Sequence, residues 1–332
     1  MASIAVVFLH VSAQRFYVSF PSKEWETRMI YDSFVRWGVP IFIMISGALF
    51  LDRENIISIR KLYTKNITRI VIAYLFWSIV YSLYNFERNE TLIDLTLNVI
   101  KGPIHLWFLK MLLGLYIIVP ILRSITLNKR TEIYFLVLAF ITTFLIPFLI
   151  DILRLYDKEL VIILDNFIDS FYLNLAVGYS GYFVLGHFLN TYTLSNTFKR
   201  YIYVLGFLSL ITVLFFTHTL SHKLGTPQKV LFDNLKPFTL FESMAIFVFV
   251  KDRLRDVPEQ LKDFLYLLSK LTFGVYLTHL IVIMVLKKSL TLEQFNNNTI
   301  LYIPCFTIVV LLISTTLSFM LSKIPIIRKY IV

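Results

Sequence analysis

The opening stretch VVFLHVSAQ holds one ionisable ring, His10, in an apolar run that turns polar only at Ser12, Gln14 and Arg15. His279 interrupts a second apolar run, 264–286, and Glu242 a third, 237–250. His105 and Trp107 stand at the start of the run 104–122, with Lys110 further in. Lys61, Lys65 and Arg69 lead into the run 69–86, and the four-residue spacing of Lys65 and Arg69 puts them on one helix face. A histidine titrates near neutral pH, so one held in apolar surroundings is suited to taking up or giving back a proton. Ionisable groups inside a bilayer are costly and turn toward a cavity or a partner.

Each of these residues also has an ordinary structural explanation. His10 could be a core histidine bonded to a neighbouring carbonyl. Glu242 could pair with Lys110 or a histidine. Lys61, Lys65 and Arg69 could be positive-inside anchors. His187, at the end of the run 171–190, reads as a snorkelling or packing residue. His218 and His222 read as solvated loop residues, and Cys305 as a small core residue. What sets the group apart is its arrangement: two histidines and a glutamate in one half of the membrane, a basic cluster in the other.

The elements that would position these groups follow from composition. Of 332 residues, 57% are hydrophobic and only 16% charged, with a mean hydropathy of +0.72. A soluble domain of this length carries more charge. The 31 Phe and 19 Tyr suit lipid-facing and interfacial positions. The single cysteine excludes a disulfide framework and a thiolate metal cage. The net charge of +11 lies in short loops between apolar runs, so it indicates membrane topology and not nucleic acid.

Ten runs suit spans: 2–14, 34–51, 69–86, 104–122, 133–150, 171–190, 201–217, 237–250, 264–286 and 300–322. The expected fold is an all-α, polytopic helix bundle of about ten transmembrane helices, a single membrane-embedded domain over 1–332. The alternate loops 52–69, 123–131, 191–200, 251–270 and 323–332 are the richer in Lys and Arg, which predicts that both termini are cytoplasmic. His10, His279, Glu242, His105 and Trp107 then fall in the outer half and Lys61, Lys65 and Arg69 at the inner face.

Six stretches together resemble acyltransferase family 3, the integral-membrane O-acyltransferases of bacterial surface polysaccharides. They are IAVVFLHVSAQ with His10, WGVPIFIMISGALFL, KNITRIVIAYLFW, HLWFLKMLLGLYIIVPIL, GYFVLGHFL and SKLTFGVYLTHLIV. Their order and spacing carry the resemblance, and the chain is most similar to the small type that acts on enterobacterial common antigen. The resemblance implies a bacterial cell-membrane enzyme that moves an acyl group, acetyl by expectation, from cytoplasmic acyl-CoA to a sugar hydroxyl of a surface polysaccharide or lipid-linked glycan. His10 matches the family's histidine and would be the general base, supported by His279 and Glu242. Lys65 and Arg69, with Lys61, would meet the CoA phosphates, and His105 and Trp107 the acceptor. No permanently bound cofactor, metal or nucleic acid is expected.

Two departures accompany the resemblance. The family's paired arginines ahead of the third span are here Asn66 and Arg69, with Lys65 as a substitute point charge. The family's arginine eleven residues before the histidine would precede Met1. The opening run is also short: 14 residues rise about 20 Å against a hydrocarbon core of about 30 Å. The expectation is that the first span is truncated and that the natural product carries roughly 8–15 further residues upstream. Two other readings remain open at this stage: a polysaccharide exporter of the same fold, and a catalytically impaired membrane domain. An exporter would favour paired Gly or Pro breaks in matching halves, and Pro120, Pro147 and Pro304 show no such symmetry.

Overall fold

The computed structural model describes residues 1–54, 56–87, 90–155, 158–170, 178–255, 257–289 and 298–332. Among these residues the regular structure is helical throughout, with no strand. Lipid leaves no solvent partner for backbone groups, so each segment satisfies its own. In chain order the first helices are α1 (Ala2–Ser12), α2 (Lys23–Ser33), α3 (Gly38–Phe50), α4 (Ile59–Lys61), α5 (Thr68–Tyr84), α6 (Leu92–Lys101), α7 (Trp107–Ile117), α8 (Val119–Thr126) and α9 (Lys129–Ala139). There follow α10 (Ile146–Leu153), α11 (Lys158–Asp169), α12 (Tyr179–Thr191), α13 (Asn196–Leu224), α14 (Pro237–Arg255), α15 (Glu259–Ser289), α16 (Thr299–Ser322) and α17 (Pro325–Tyr330).

Six described stretches are long and apolar enough to cross a membrane: Lys23–Phe50, Ile59–Tyr84, Lys129–Leu153, Asn196–Leu224, Glu259–Lys288 and Thr299–Ser322. Leu92–Lys101 and Ile104–Ile117 make a seventh if that pair, bent by 41°, is one span. Among the described residues the expected count of about ten is not reached, for reasons of length and polarity. α1 has 11 residues. α12 has 13, and residues 171–177 of the expected run lie outside the described residues. α14 has 19, but it holds Glu242 and ends in the charged Lys251, Asp252 and Arg253.

The chain divides into two compact units. Unit one takes Met1–Ile56 and Ile121–Asp256, and unit two takes Ile57–Pro120 and Val257–Val332.

In unit one, α3 is the organising helix, packed against α1, α12 and α14. Its crossing with α12 brings the two backbones into direct contact. Gly47 of α3 lies on the Phe183 carbonyl of α12, and Gly186 of α12 lies on the Met44 carbonyl of α3; a Cβ at either would overlap the facing backbone. Small residues permit such approaches in membrane bundles. α2 starts where the Ser22 hydroxyl accepts from the Trp25 amide at 3.2 Å, with Glu24 and Glu26 in the first turn. Both features favour a helix start. Phe16, Trp25, Met29, Val213, Leu231 and Phe232 then form a buried cluster beside it. The Lys229 ammonium lies 4.3 Å from the centre of the Phe16 ring. Burial pushes that ammonium below its ordinary pKa, opposed by the Asp32 carboxylate.

In unit two, α15 and α16 pack along each other, with Gly274 admitting the Ser318 side chain. α17 folds onto α5, where the Trp77 indole donates to the Ile331 carbonyl at 3.1 Å. α6 opens with a capping box between Thr91 and Asp94, and leaves Leu92, Ile93, Leu97 and Ile100 exposed. Cys305 corrects its expected core placement: it is exposed on α16, since the helix turns its polar Thr307, Ser314 and Ser318 inward instead.

Candidate active site

The expected site residues divide between the units. His10 and Glu242 belong to unit one; His279, His105, Trp107, Lys61, Lys65 and Arg69 belong to unit two.

In unit one, His10 occupies the last turn of α1 and is half-buried. Glu242 is buried on α14, where it feels the Arg36 guanidinium. That guanidinium is itself held by the Asp32 carboxylate and donates to the Phe232 carbonyl at 2.9 Å. Because α3 packs against both α1 and α14, it sets where the histidine and the glutamate stand.

In unit two, His279 is fully buried on α15. Its Nδ1 lies 2.6 Å from the Tyr276 carbonyl and 3.2 Å from the Val275 carbonyl. At a ring nitrogen a carbonyl accepts only from an N–H, so Nδ1 carries a hydrogen in these contacts. Main-chain carbonyls therefore fix the orientation of this ring. The His105 ring meets it edge-on, with centroids 5.8 Å apart. Tyr276 donates from its hydroxyl to the His105 carbonyl at 2.6 Å, which ties α15 to the turn before α7.

Tyr81 was not foreseen from sequence. Its hydroxyl sits inside the hydrogen-bond ladder of α15, donating to the Leu277 carbonyl at 2.9 Å and accepting from the Ile281 amide at 3.0 Å. Those two backbone groups are four apart and would ordinarily bond to each other. The hydroxyl thus bonds to the helix turn that carries His279. The Tyr81 ring also packs edge-on to His105, 4.7 Å between centroids. It lines a cavity of about 560 Å³ together with Ser82, Lys101, Trp107 and Lys110. Trp107 therefore faces a space that can take a ligand. The Lys110 ammonium donates to the Lys101 carbonyl at 3.1 Å.

The basic cluster is less uniform than its spacing implied. Lys61 and Lys65 are exposed, and Arg69 is half-buried. The Arg69 guanidinium donates to the main-chain oxygen of Val332 at 2.6 Å and lies 5.0 Å from the centre of the Phe273 ring. A stretch of π-helix, Leu62–Ile67, precedes α5. Its wider turn changes the register between Lys65 and Arg69 from that of a plain α-helix.

Three further histidines lie on α12 and α13. Of the two roles expected for His187, packing and not snorkelling fits: it is buried, with Nδ1 2.7 Å from the Glu132 carboxylate. Glu132, also buried, accepts from the Tyr192 hydroxyl at 3.2 Å. The partner stands 55 residues away in sequence, so no local pattern marked it. His218 and His222 are exposed as expected, but they lie on the last turns of α13 and not in a loop.

Comparison with known proteins gives one assignment. The family model of acyltransferase family 3, described as an acyltransferase domain, matches residues 1–319. No curated protein and no solved structure matched the chain. The match covers nearly the whole length and both units, and its class fits described residues whose regular structure is helical and which include six stretches long and apolar enough to cross a membrane. The chain belongs to acyltransferase family 3 and is a membrane acyltransferase.

Proposed function

We propose that the chain is an O-acetyltransferase of the type that acts on enterobacterial common antigen. It takes an acetyl group from cytoplasmic acyl-CoA and places it on a sugar hydroxyl of an extracytoplasmic polysaccharide or lipid-linked glycan. The observation that carries this reading is the family match over residues 1–319, which includes the helix that holds His10. His10 takes the proton from the sugar hydroxyl as its oxygen attacks the thioester carbonyl. The tetrahedral intermediate collapses, the C–S bond breaks, and the proton passes from His10 to the departing thiolate of CoA. Proton transfer by a placed group of this kind contributes about 10²–10⁴ in rate.

The remaining residues have supporting roles in this reading. Glu242 and His279 balance charge and orient the reacting groups. Lys61, Lys65 and Arg69 meet the CoA phosphates at the cytoplasmic face, with Arg69 as the one fork-shaped donor of the three. His105 and Trp107 receive the glycan, which is supported by Trp107 lining the unit-two cavity. Both termini are cytoplasmic, and the protein resides in the bacterial cell membrane.

The test is transfer by purified protein in proteoliposomes supplied with radiolabelled acetyl-CoA and a polysaccharide acceptor. The expected result is label bound to glycan as an alkali-labile ester. Passage of unmodified glycan without consumption of acetyl-CoA would overturn the reading in favour of a carrier.

A further inference from the structure

We propose that Glu26, His218 and His222 form a binding site for a zinc-class divalent ion that clamps α2 to α13. Glu26 lies in the first turn of α2, and the histidines lie one turn apart near the end of α13. One ligand atom from each residue lies within 4.8 Å of those of the other two. The His218 Nε2 is 3.9 Å from a Glu26 carboxylate oxygen, and the two imidazole rings are 4.4 Å apart between centroids.

The chemistry of the set selects the ion. Two imidazoles and a carboxylate suit zinc, nickel or copper, whereas magnesium and calcium call for all-oxygen cages. Zinc bonds nitrogen and oxygen at about 2.0–2.2 Å, so tetrahedral ligands stand roughly 3.3 Å from each other. The three side chains are exposed, so modest rotamer changes close the remaining distance. Histidines four apart on a helix present both rings on one face, the spacing that helical zinc sites use.

The support around the site is built in. Trp25 is fully buried, with its ring centroid 6.2 Å from that of His218 and 5.7 Å from that of His222. Phe20 flanks His222 at 5.4 Å. These rings pack beside both imidazoles. Three protein ligands leave the fourth position of a tetrahedral ion for water or an oxygen of a bound molecule. The proposal rests on unit one alone and is independent of the acetyl-transfer reading.

The experiment uses the full chain, purified without a histidine tag and dialysed against Zn²⁺ alone. The expected result is one zinc per chain, a Tm that rises with zinc, and visible d–d bands when Co²⁺ replaces it. The double variant His218→Ala/His222→Ala is expected to lose all three while keeping the metal-free Tm. Glu26→Gln is expected to weaken zinc binding by more than about 10–100-fold, the range that outer-shell changes alone produce. Failure of the wild-type chain to bind zinc would overturn the site, as would undiminished binding by the double variant. If the double variant does not fold, undiminished affinity in Glu26→Gln decides against it.

Discussion

Gly186→Ala probes the contact on which unit one is built. The added Cβ would overlap the Met44 carbonyl of α3. Overpacking a well-filled interior costs about 1–3 kcal/mol. Here the obstacle is backbone, which no rotamer change can move, so about 3 kcal/mol applies. Alanine returns about 1 kcal/mol through its better helix propensity. The net loss of about 2 kcal/mol lowers Tm by roughly 4–8 °C for a unit of this size. Thermal unfolding in detergent micelles, followed by circular dichroism, measures it. Gly114→Ala is the matched control, since a Cβ there meets nothing within 4 Å; its Tm should hold or rise. Acetyl transfer should fall in Gly186→Ala, because α3 sets both His10 and Glu242. Gly47→Ala touches the same crossing, so combining the two changes should cost less than their sum. An unchanged Tm in Gly186→Ala, or an equal fall in Gly114→Ala, would refute the crossing as drawn.

Lys65→Ala should raise the KM for acetyl-CoA and leave Tm unchanged, because Lys65 is exposed; Arg69→Ala should raise KM and also lower Tm, since it removes the bond to Val332. Kinetics in which neither variant shifts that KM would return both residues to the role of membrane anchors. Glu132→Ala leaves the buried His187 Nδ1 without its hydrogen-bond partner and should cost about 1–3 kcal/mol; a loss well below about 1 kcal/mol in chemical unfolding would count against a pair of structural weight. Tyr81→Phe removes the hydroxyl between Leu277 and Ile281, so hydrogen exchange at the Ile281 amide should accelerate, and unchanged protection would show that the hydroxyl is not part of the ladder.

The class of the chain was legible from its apolar runs, because lipid imposes long helical segments that composition reveals directly. The count of spans was less legible. A run such as 237–250 looks the same whether it crosses the membrane or packs inside the bundle, and Glu242 on α14 is buried in protein. His10 and His279 were visible as ionisable groups in apolar surroundings. Their division between two units was not, because chain order interleaves the units. Tyr81 was invisible for a different reason: a tyrosine in an apolar run is ordinary, and only the fold places its hydroxyl in another helix's ladder. Glu132 follows Lys129 and Arg130 in sequence, and nothing in that local pattern points to its buried contact with His187. Arg69 was picked out as a phosphate ligand by its position, but the main-chain oxygen that it holds comes from 263 residues away.

The central claim is that His10 is the base in acetyl transfer. His279→Ala should slow the reaction by less than His10→Ala does; equal losses would instead join the two histidines in one catalytic unit, whose effects do not add. The most direct measurement is the initial rate of acetyl-CoA-dependent glycan acylation by purified His10→Ala, at matched membrane level and matched Tm. The account predicts a fall of about 10²–10⁴ relative to wild type. Turnover equal to that of the wild type, in a variant that folds as well, would contradict it.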